Sequence, residues 1–432
     1  MHNRPQTPDF SGYAEQVFNR CDALALHSQS YEGMDRRYLT PEHSMANLQV
    51  AQWMTAAGME TWVDQAGNQW GRYKSATPDA KSFVMGSHID TVPNGGIYDG
   101  ILGIVLPISL IQYLSDNKVK LPYHLEIVAF GDEEGTRFGT TLLGSRAITG
   151  LWQQQWAGLV DAQGISIEEA LSNFGCEFSQ IQDASRLKDK LLGFLETHIE
   201  QGPVLEAEDL PVGTVSGIAG AKRFKLNIKG HAGHAGTVPM TMRADALVAA
   251  AEMIQVVEEV ATELGVVATV GKIANYPNAV NVIPGDVEFT LDIRSEIDSR
   301  RDTVLEILQQ VLGQVAEKRK VTLDWKMTHS ANAVACDPKL QHLVSNSISA
   351  AGYRQFTLPS GAGHDAMAIA DICPVGMLFV RCEKGISHHP AESVMVDDIE
   401  AALKVLNNFV RFYQNQYQEE NQVSLSSPDL CA

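Results

Sequence analysis

No two cysteines in this chain stand in a C-x-x-C pair, the spacing of a thiolate zinc site or a redox motif. The six present, Cys21, Cys176, Cys336, Cys373, Cys382 and Cys431, are scattered along 432 residues. They indicate neither a disulfide framework nor a zinc–thiolate cluster. Basic residues are short as well: 33 Lys and Arg stand against 52 Asp and Glu, a formal net charge of −19. An acidic chain with no basic stripe is not expected to bind nucleic acid or an anionic membrane surface. Long apolar runs are also missing. The longest, Gly100 to Leu114, contains Pro107 and is shorter than the ~20 residues that span a bilayer, so it reads as a buried helix. Met1–Asp9 carries no basic-then-apolar leader, and a cytoplasmic location is expected. There is no internal repeat.

What remains is the composition of a globular protein, 44% apolar and 20% charged. The length exceeds one ordinary core, so two domains are expected, one interrupted by the other. Strand-like segments at Phe83–Gly86, Leu125–Phe130 and Leu192–Thr197 alternate with helix-like ones at Leu48–Met59, Ile101–Ser115 and Ile167–Phe174. Such alternation predicts an α/β layer with a mostly parallel sheet. The texture changes near Gly217–Ala221. From Lys222 the pattern reads strand, long helix (Met242–Leu264), strand (Val266–Ile273), strand (Val287–Arg294), helix (Ser299–Lys318), strand (Val321–Met327). That order suits a ferredoxin-like α+β sandwich. After about Ala335 the α/β texture returns, with a helix at Pro338–Ala351, a strand at Val375–Val380 and a helix at Asp397–Tyr417. The expected division is therefore a discontinuous catalytic domain of residues 1–217 and 336–417, an inserted domain of 218–335, and a disordered tail of 418–432.

Chemistry concentrates in four segments. Gly86-Ser87-His88-Ile89-Asp90 follows an apolar strand, with Asp99-Gly100 close behind. One acid can fix the imidazole tautomer while the other ligates a metal. Asp132-Glu133-Glu134-Gly135 places three acids at a strand end, where they repel one another unless a cation holds them. One glutamate can ligate while its neighbour faces a water; a solvated acidic turn would look the same. Glu196 and His198 share one face of a strand, and a lone strand-end histidine is often structural. Ser387-His388-His389-Pro390 has the form of a plain surface turn or of a ligand loop. Sites on parallel sheets lie beyond the carboxyl ends of strands, which would gather His88, Glu133 and His198 at one edge.

Taken together, these motifs resemble the metal-dependent aminoacylase/carboxypeptidase (M20-type) superfamily, in its hydantoinase/carbamoylase branch. That branch holds N-carbamoyl-L-amino-acid hydrolases, β-ureidopropionases and allantoate amidohydrolases. The shared signatures are H-x-D at His88–Asp90, D-G at Asp99–Gly100 and E-E at Glu133–Glu134. The branch is marked by H-I-E-Q-G at His198–Gly202, H-A-G-T at His234–Thr237, N-x-V-N-V-I-P-G at Asn278–Gly285, S-G-A-G-H-D-A at Ser360–Ala366 and S-H-x-P-A-E at Ser387–Glu392. Peptidase relatives usually carry a carboxylate where this chain has His198.

The resemblance implies two divalent ions per subunit, Zn²⁺ or Mn²⁺, with Co²⁺ and Ni²⁺ also compatible. His88, Asp99 and His198 would hold one, and Glu134 and His388 the other, with Asp99 bridging and Asp90 orienting His88. Glu133 is implied as general base and His234 as oxyanion donor, in a homodimer often supplied by the partner subunit. Gln201, Asn281, Arg294, Gly361 and His364 are implied to contact the substrate, with Arg294 taking its carboxylate; a surface ion pair with Glu296 or Asp298 would also account for Arg294. The inserted domain would act as lid and dimer interface, hinged near Gly217–Gly220 and Ala333–Asp337. The expected reaction is hydrolysis of a ureido or N-carbamoyl C–N bond in a small carboxylate, allantoate or an N-carbamoyl-L-amino acid, with release of ammonia and CO₂. Two other readings remain open: a dipeptidase or aminoacylase of the same superfamily, and an inactive ligand-binding homologue.

Overall fold

The structure, a computed structural model, describes residues 8–77 and 79–426. Most of the segment read for a leader, and Cys431, lie outside them. The other five cysteines are buried and unpaired. The strands are β1 (Glu60–Val63), β2 (Gln69–Tyr73), β3 (Ser82–His88), β4 (His124–Phe130), β5 (Gly193–Ile199), β6 (Val212–Ile218), β7 (Gly220–Lys229), β8 (Gly233–His234), β9 (Val267–Thr269), β10 (Ile273–Tyr276), β11 (Val282–Ile283), β12 (Asp286–Ser295), β13 (Thr322–Ala331), β14 (Val334–Ala335), β15 (Thr357–Ser360) and β16 (Val375–Val380). The chain divides into two compact units. One holds the described residues up to Ser216, with Cys336–Leu358 and those from Gly363 onward; the other is Gly217–Ala335 with Pro359–Ala362.

In the first unit the sheet runs β1-β2-β4-β3-β5-β16-β6. β4, β3, β5 and β16 are parallel. The pairs β1–β2, β2–β4 and β16–β6 are antiparallel. The sheet expected to be mostly parallel is thus mixed, and the reason is local. Asp64 accepts the Ala66 and Asn68 N–H groups in the link between β1 and β2, a turn too short for a parallel crossover. β3 and β5 are buried along their whole length, as strands covered on both faces must be. The apolar run after Asp99 forms the helix Ile101–Asp116 and packs in the main core with Val50, Leu125 and Phe409. It starts at Gly100, whose φ is 70° and where a Cβ would lie 2.5 Å from the His88 ring. Only glycine fits there, so strand, loop and helix meet tightly around His88.

In the second unit β10, β12, β7 and β13 form an antiparallel sheet in that order, with β9 also pairing β12. One face is covered by the helices Ala246–Leu264 and Asp298–Arg319, which enclose Leu226, Ile228, Phe289 and Leu291. β12 alternates strictly between buried and half-buried residues, so Asp292 and Arg294 stand on the face opposite that core. The strand expected over Val266–Ile273 is two short strands separated at Gly271.

The helix expected from Leu48 begins at Pro41 instead, where Thr40 accepts the His43 N–H and Pro41 occupies the first turn. The tail expected to be disordered from Gln418 is helical to Ser426, because its Gln and Glu residues extend the last helix at little cost; the rest of it lies outside the described residues. Among the described residues no helix is long and apolar enough to cross a membrane.

Candidate metal centre

Three parallel strands end at the site. β3 closes on His88, β5 carries His198 at its penultimate position, and β4 is followed after two residues by Glu133 and Glu134. Asp99 reaches in from the loop before the helix Ile101–Asp116, and His388 from the loop after β16. Asp99 is the hub. One of its oxygens lies 3.4 Å from His88 Nε2 and 3.2 Å from His198 Nε2. The other lies 3.3 Å from His388 Nε2, which is also 3.2 Å from Glu134. Three groups offer ligand atoms within 4.8 Å of one another: His88–Asp99–His198, His88–Glu133–Glu134 and Asp99–Glu134–His388.

The donor chemistry fits a cation. His88 Nδ1 donates to the Asp90 carbonyl and His198 Nδ1 to the Ile199 carbonyl, each at 2.9 Å. In the neutral rings both Nε2 atoms are therefore left as acceptors, 3.4 Å apart. The Gly100 N–H, 3.2 Å from His198 Nε2, treats it as an acceptor too. Two lone pairs converging beside a buried carboxylate oxygen that accepts no hydrogen bond is costly unless a positive charge sits among them. The electrostatics agree. Burial alone would push His88 down, yet Asp99, Glu133 and Asp90 hold its pKa well above the usual value. Hydrogen bonds to Asp99 and Glu134 push His388 up to about 10. Burial drives the Glu133 carboxyl well above the carboxylate range, and Glu134 and Asp365 add to this. The field that draws protons to these imidazoles attracts a divalent cation in their place.

Two of the expected residues make further contacts. Asp90 orients His88 through its backbone carbonyl, while its carboxylate, 3.8 Å from the ring, accepts the Glu133 N–H at 3.1 Å and the Glu134 N–H at 3.2 Å. It fastens the turn that carries the two glutamates. Gln201, expected at the substrate, donates from Nε2 to Asp99 at 2.8 Å, and its buried Oε1 has no partner. Two further residues, Ser387 and Glu392, hold Asp99. Ser387 donates to Asp99 at 2.8 Å, and Glu392 accepts the Tyr98 and Asp99 N–H groups at 2.8 and 3.0 Å. Both lie in the quoted S-H-x-P-A-E segment, which was their only signal. His389 is exposed and accepts the Ala391 N–H.

His364 is buried against His198, ring centroids 4.5 Å apart, and burial holds its pKa well below the usual value. In the second unit His234 lies opposite Val282 across the β8–β11 ribbon, next to Asn281, whose carbonyl accepts the Ala235 N–H. Arg294 forks onto Asp292 and donates to the Gly361 carbonyl. The alternative of an ion pair with Glu296 or Asp298 meets a different partner: Arg294 pairs with Asp292, two residues back on its own strand.

The family model described as Peptidase family M20/M25/M40 matches residues 84–411, a span that contains every residue named at this centre. The chain belongs to that family. It is similar to Allantoate deiminase 2 of Glycine max, 41% identical over 429 residues, 90% of this chain and 87% of that protein. It is similar to the N-carbamoyl-L-amino acid amidohydrolase of Geobacillus stearothermophilus, 40% identical over 398 residues, 92% of this chain and 97% of that one. Among solved structures it resembles an amidase of the hydantoinase/carbamoylase family from Burkholderia multivorans, with a TM-score of 0.87 and 30% identity across 92% of this chain and 97% of that one. The family resemblance drawn from the motifs is thereby borne out.

Proposed function

We propose that this M20 protein is a metal-dependent amidohydrolase that cleaves the ureido or N-carbamoyl C–N bond of a small carboxylate, allantoate or an N-carbamoyl-L-amino acid, releasing ammonia and CO₂. One observation carries the reading: the two oxygens of Asp99 face two separate sets of ligand atoms. A carboxylate so placed suits a bridge between two divalent cations, Zn²⁺ or Mn²⁺ by its mixed imidazole and carboxylate donors, with Co²⁺ and Ni²⁺ also compatible. His88 and His198 would hold one ion, Glu134 and His388 the other. Bound there, such ions supply Lewis acidity, acidifying water and polarising a carbonyl. Glu133 takes the proton of the attacking water and passes it to the leaving nitrogen. His234 donates to the oxyanion, and loss of one such donor typically costs about 2.7–4 kcal/mol. Arg294 and Asn281 hold the substrate carboxylate, Arg294 by two parallel hydrogen bonds. Gln201, Gly361 and His364 line the substrate.

The test is a screen of apo-protein reloaded with Mn²⁺, Co²⁺, Ni²⁺ or Zn²⁺ against allantoate and several N-carbamoyl-L-amino acids, with ammonia as the readout. A peptidase reading predicts dipeptide cleavage without ammonia. Glu133→Ala is expected to lower turnover about 10²–10⁴-fold; unchanged turnover would remove Glu133 as the base.

We further infer that Gly217–Ala335 is a ferredoxin-like insert serving as lid and dimer interface, supported by its strand order β10-β12-β7-β13 and its two helices on one face. A homodimer follows from this reading. Sedimentation across a dilution series is expected to give a dimer whose loss parallels loss of activity, since His234 would act on the partner subunit.

A further inference from the structure

Arg294 is not alone on its strand face. Asp292, two residues back, takes Arg294 Nε at 3.0 Å and Nη2 at 2.9 Å, one oxygen for each. Directly across the sheet from Asp292 stands Arg223 of β7, whose Nε donates to Asp292 at 2.9 Å. Arg294 Nη1 donates to the Gly361 carbonyl at 2.6 Å. All four residues belong to the second unit and line one cavity of about 650 Å³.

A guanidinium has five N–H donors on two usable edges. Asp292 occupies the side edge, Nε with Nη2. Gly361 takes one hydrogen of Nη1. One hydrogen on Nη1 and one on Nη2 remain; with Gly361 on the Nη1 hydrogen that faces away from Nη2, the two form the end-on fork that binds a carboxylate in two parallel bonds. We propose that Asp292, backed by Arg223, is the positioning residue that presents this end-on fork of Arg294 to the substrate carboxylate. The idea rests on the reading of Arg294 as the carboxylate clamp. Arg223 has a second task. An acid beside a clamp for an anion would cancel its attraction. With Arg223 included, the triad carries two positive charges and one negative, so the net field still draws a carboxylate.

Geometry and charge make opposite predictions for one substitution. Asp292→Asn removes a negative charge, so a purely electrostatic role predicts tighter substrate binding. Positioning predicts the reverse, because the amide cannot accept from both edge donors with a full charge and Arg294 turns away. The experiment measures KM and kcat of the metal-loaded full-length enzyme on whichever ureido or N-carbamoyl acid it turns over, and on the same compound with its carboxylate converted to a neutral amide. Expected are a KM raised at least 10-fold in Asp292→Asn and severalfold in Arg223→Gln, kcat changed less than twofold, and no change on the neutral amide. Asp292→Glu is expected to recover part of the loss. An unchanged or lowered KM in Asp292→Asn overturns the proposal, as does an equal rise on the neutral amide. Arg294→Lys separates the two layers. If it leaves KM unchanged, the clamp reading itself fails. If it raises KM while Asp292→Asn does not, only the positioning role fails. Circular dichroism of each variant guards against misfolding, and an unfolded Asp292→Asn shifts the decision to Asp292→Glu and Arg223→Gln.

Discussion

Asp99 concentrates more constraints than any other side chain of the metal centre. Its one oxygen faces His88 and His198, and its other is held by Gln201 and Ser387 beside His388. If Asp99 bridges as proposed, both ions would depend on it. Asp99→Asn is therefore expected to deplete both, whereas His388→Asn should spare the one held by His88 and His198; elemental analysis of the purified variants checks this. Gln201 makes a subtler case. If its amide holds the bridging carboxylate, Gln201→Ala should weaken metal binding about 10–100-fold, the usual effect of losing an outer-sphere partner. Competition with a chelating dye reads that out without any turnover. A purely substrate-binding Gln201 would leave metal affinity untouched. The ligand residues themselves were legible as H-x-D, D-G, E-E and S-H-x-P. The division of labour within Asp90 was not, because a sequence does not say whether a carbonyl or a carboxylate meets an imidazole.

The helix Pro41–Ala56 shows the same limit for an element. Its apolar spacing was visible from Leu48, but its true start lies in the Thr40 cap and Pro41, seven residues earlier. Thr40→Ala is expected to cost about 1 kcal/mol in urea denaturation. This helix also buries His43, whose Nδ1 accepts the Leu39 N–H and whose ring lies 4.8 Å from Phe174. Burial, with the charges of Arg36 and Arg137, pushes its pKa down to about 3. In the unfolded chain it titrates near ~6.5. Below that pH the unfolded state takes up a proton that the native state refuses. Stability from this group is thus whole above about pH 6.5 and declines as pH falls, by up to about 1.4 kcal/mol per unit. Denaturation at pH 7, 6 and 5 should show a shallower decline in His43→Gln than in the parent; equal slopes would assign the decline to other groups. The short strands β1 and β2 escaped the sequence because Gln69-Trp70-Gly71-Arg72 has no alternating pattern, although four of the five β2 residues are buried.

For the molecule as a whole, metal and stability should be linked. Ions that bind only the folded first unit raise its stability by about 2.7 kcal/mol at a hundredfold excess over Kd. Chelation is accordingly expected to lower the melting temperature, and Asp99→Asn to abolish that shift; a chelator-insensitive parent would argue that the centre holds no ion. The order of elements, the change of texture near Gly217 and the ligand segments were all set by local composition: buried parallel strands read as apolar runs, and half-exposed strands alternate. Which strands lie side by side was not local. The antiparallel pairings of β2 with β4 and of β16 with β6, the meeting of His88 with His198 and the pairing of Arg223 with Asp292 each join residues far apart in sequence, and hydrogen-bond register across a sheet decides them. The sequence by itself named the chemistry, because ligand types and their spacing are written along the chain. Only the tertiary structure decided which atom of each residue does the holding, because that depends on distance and direction in space.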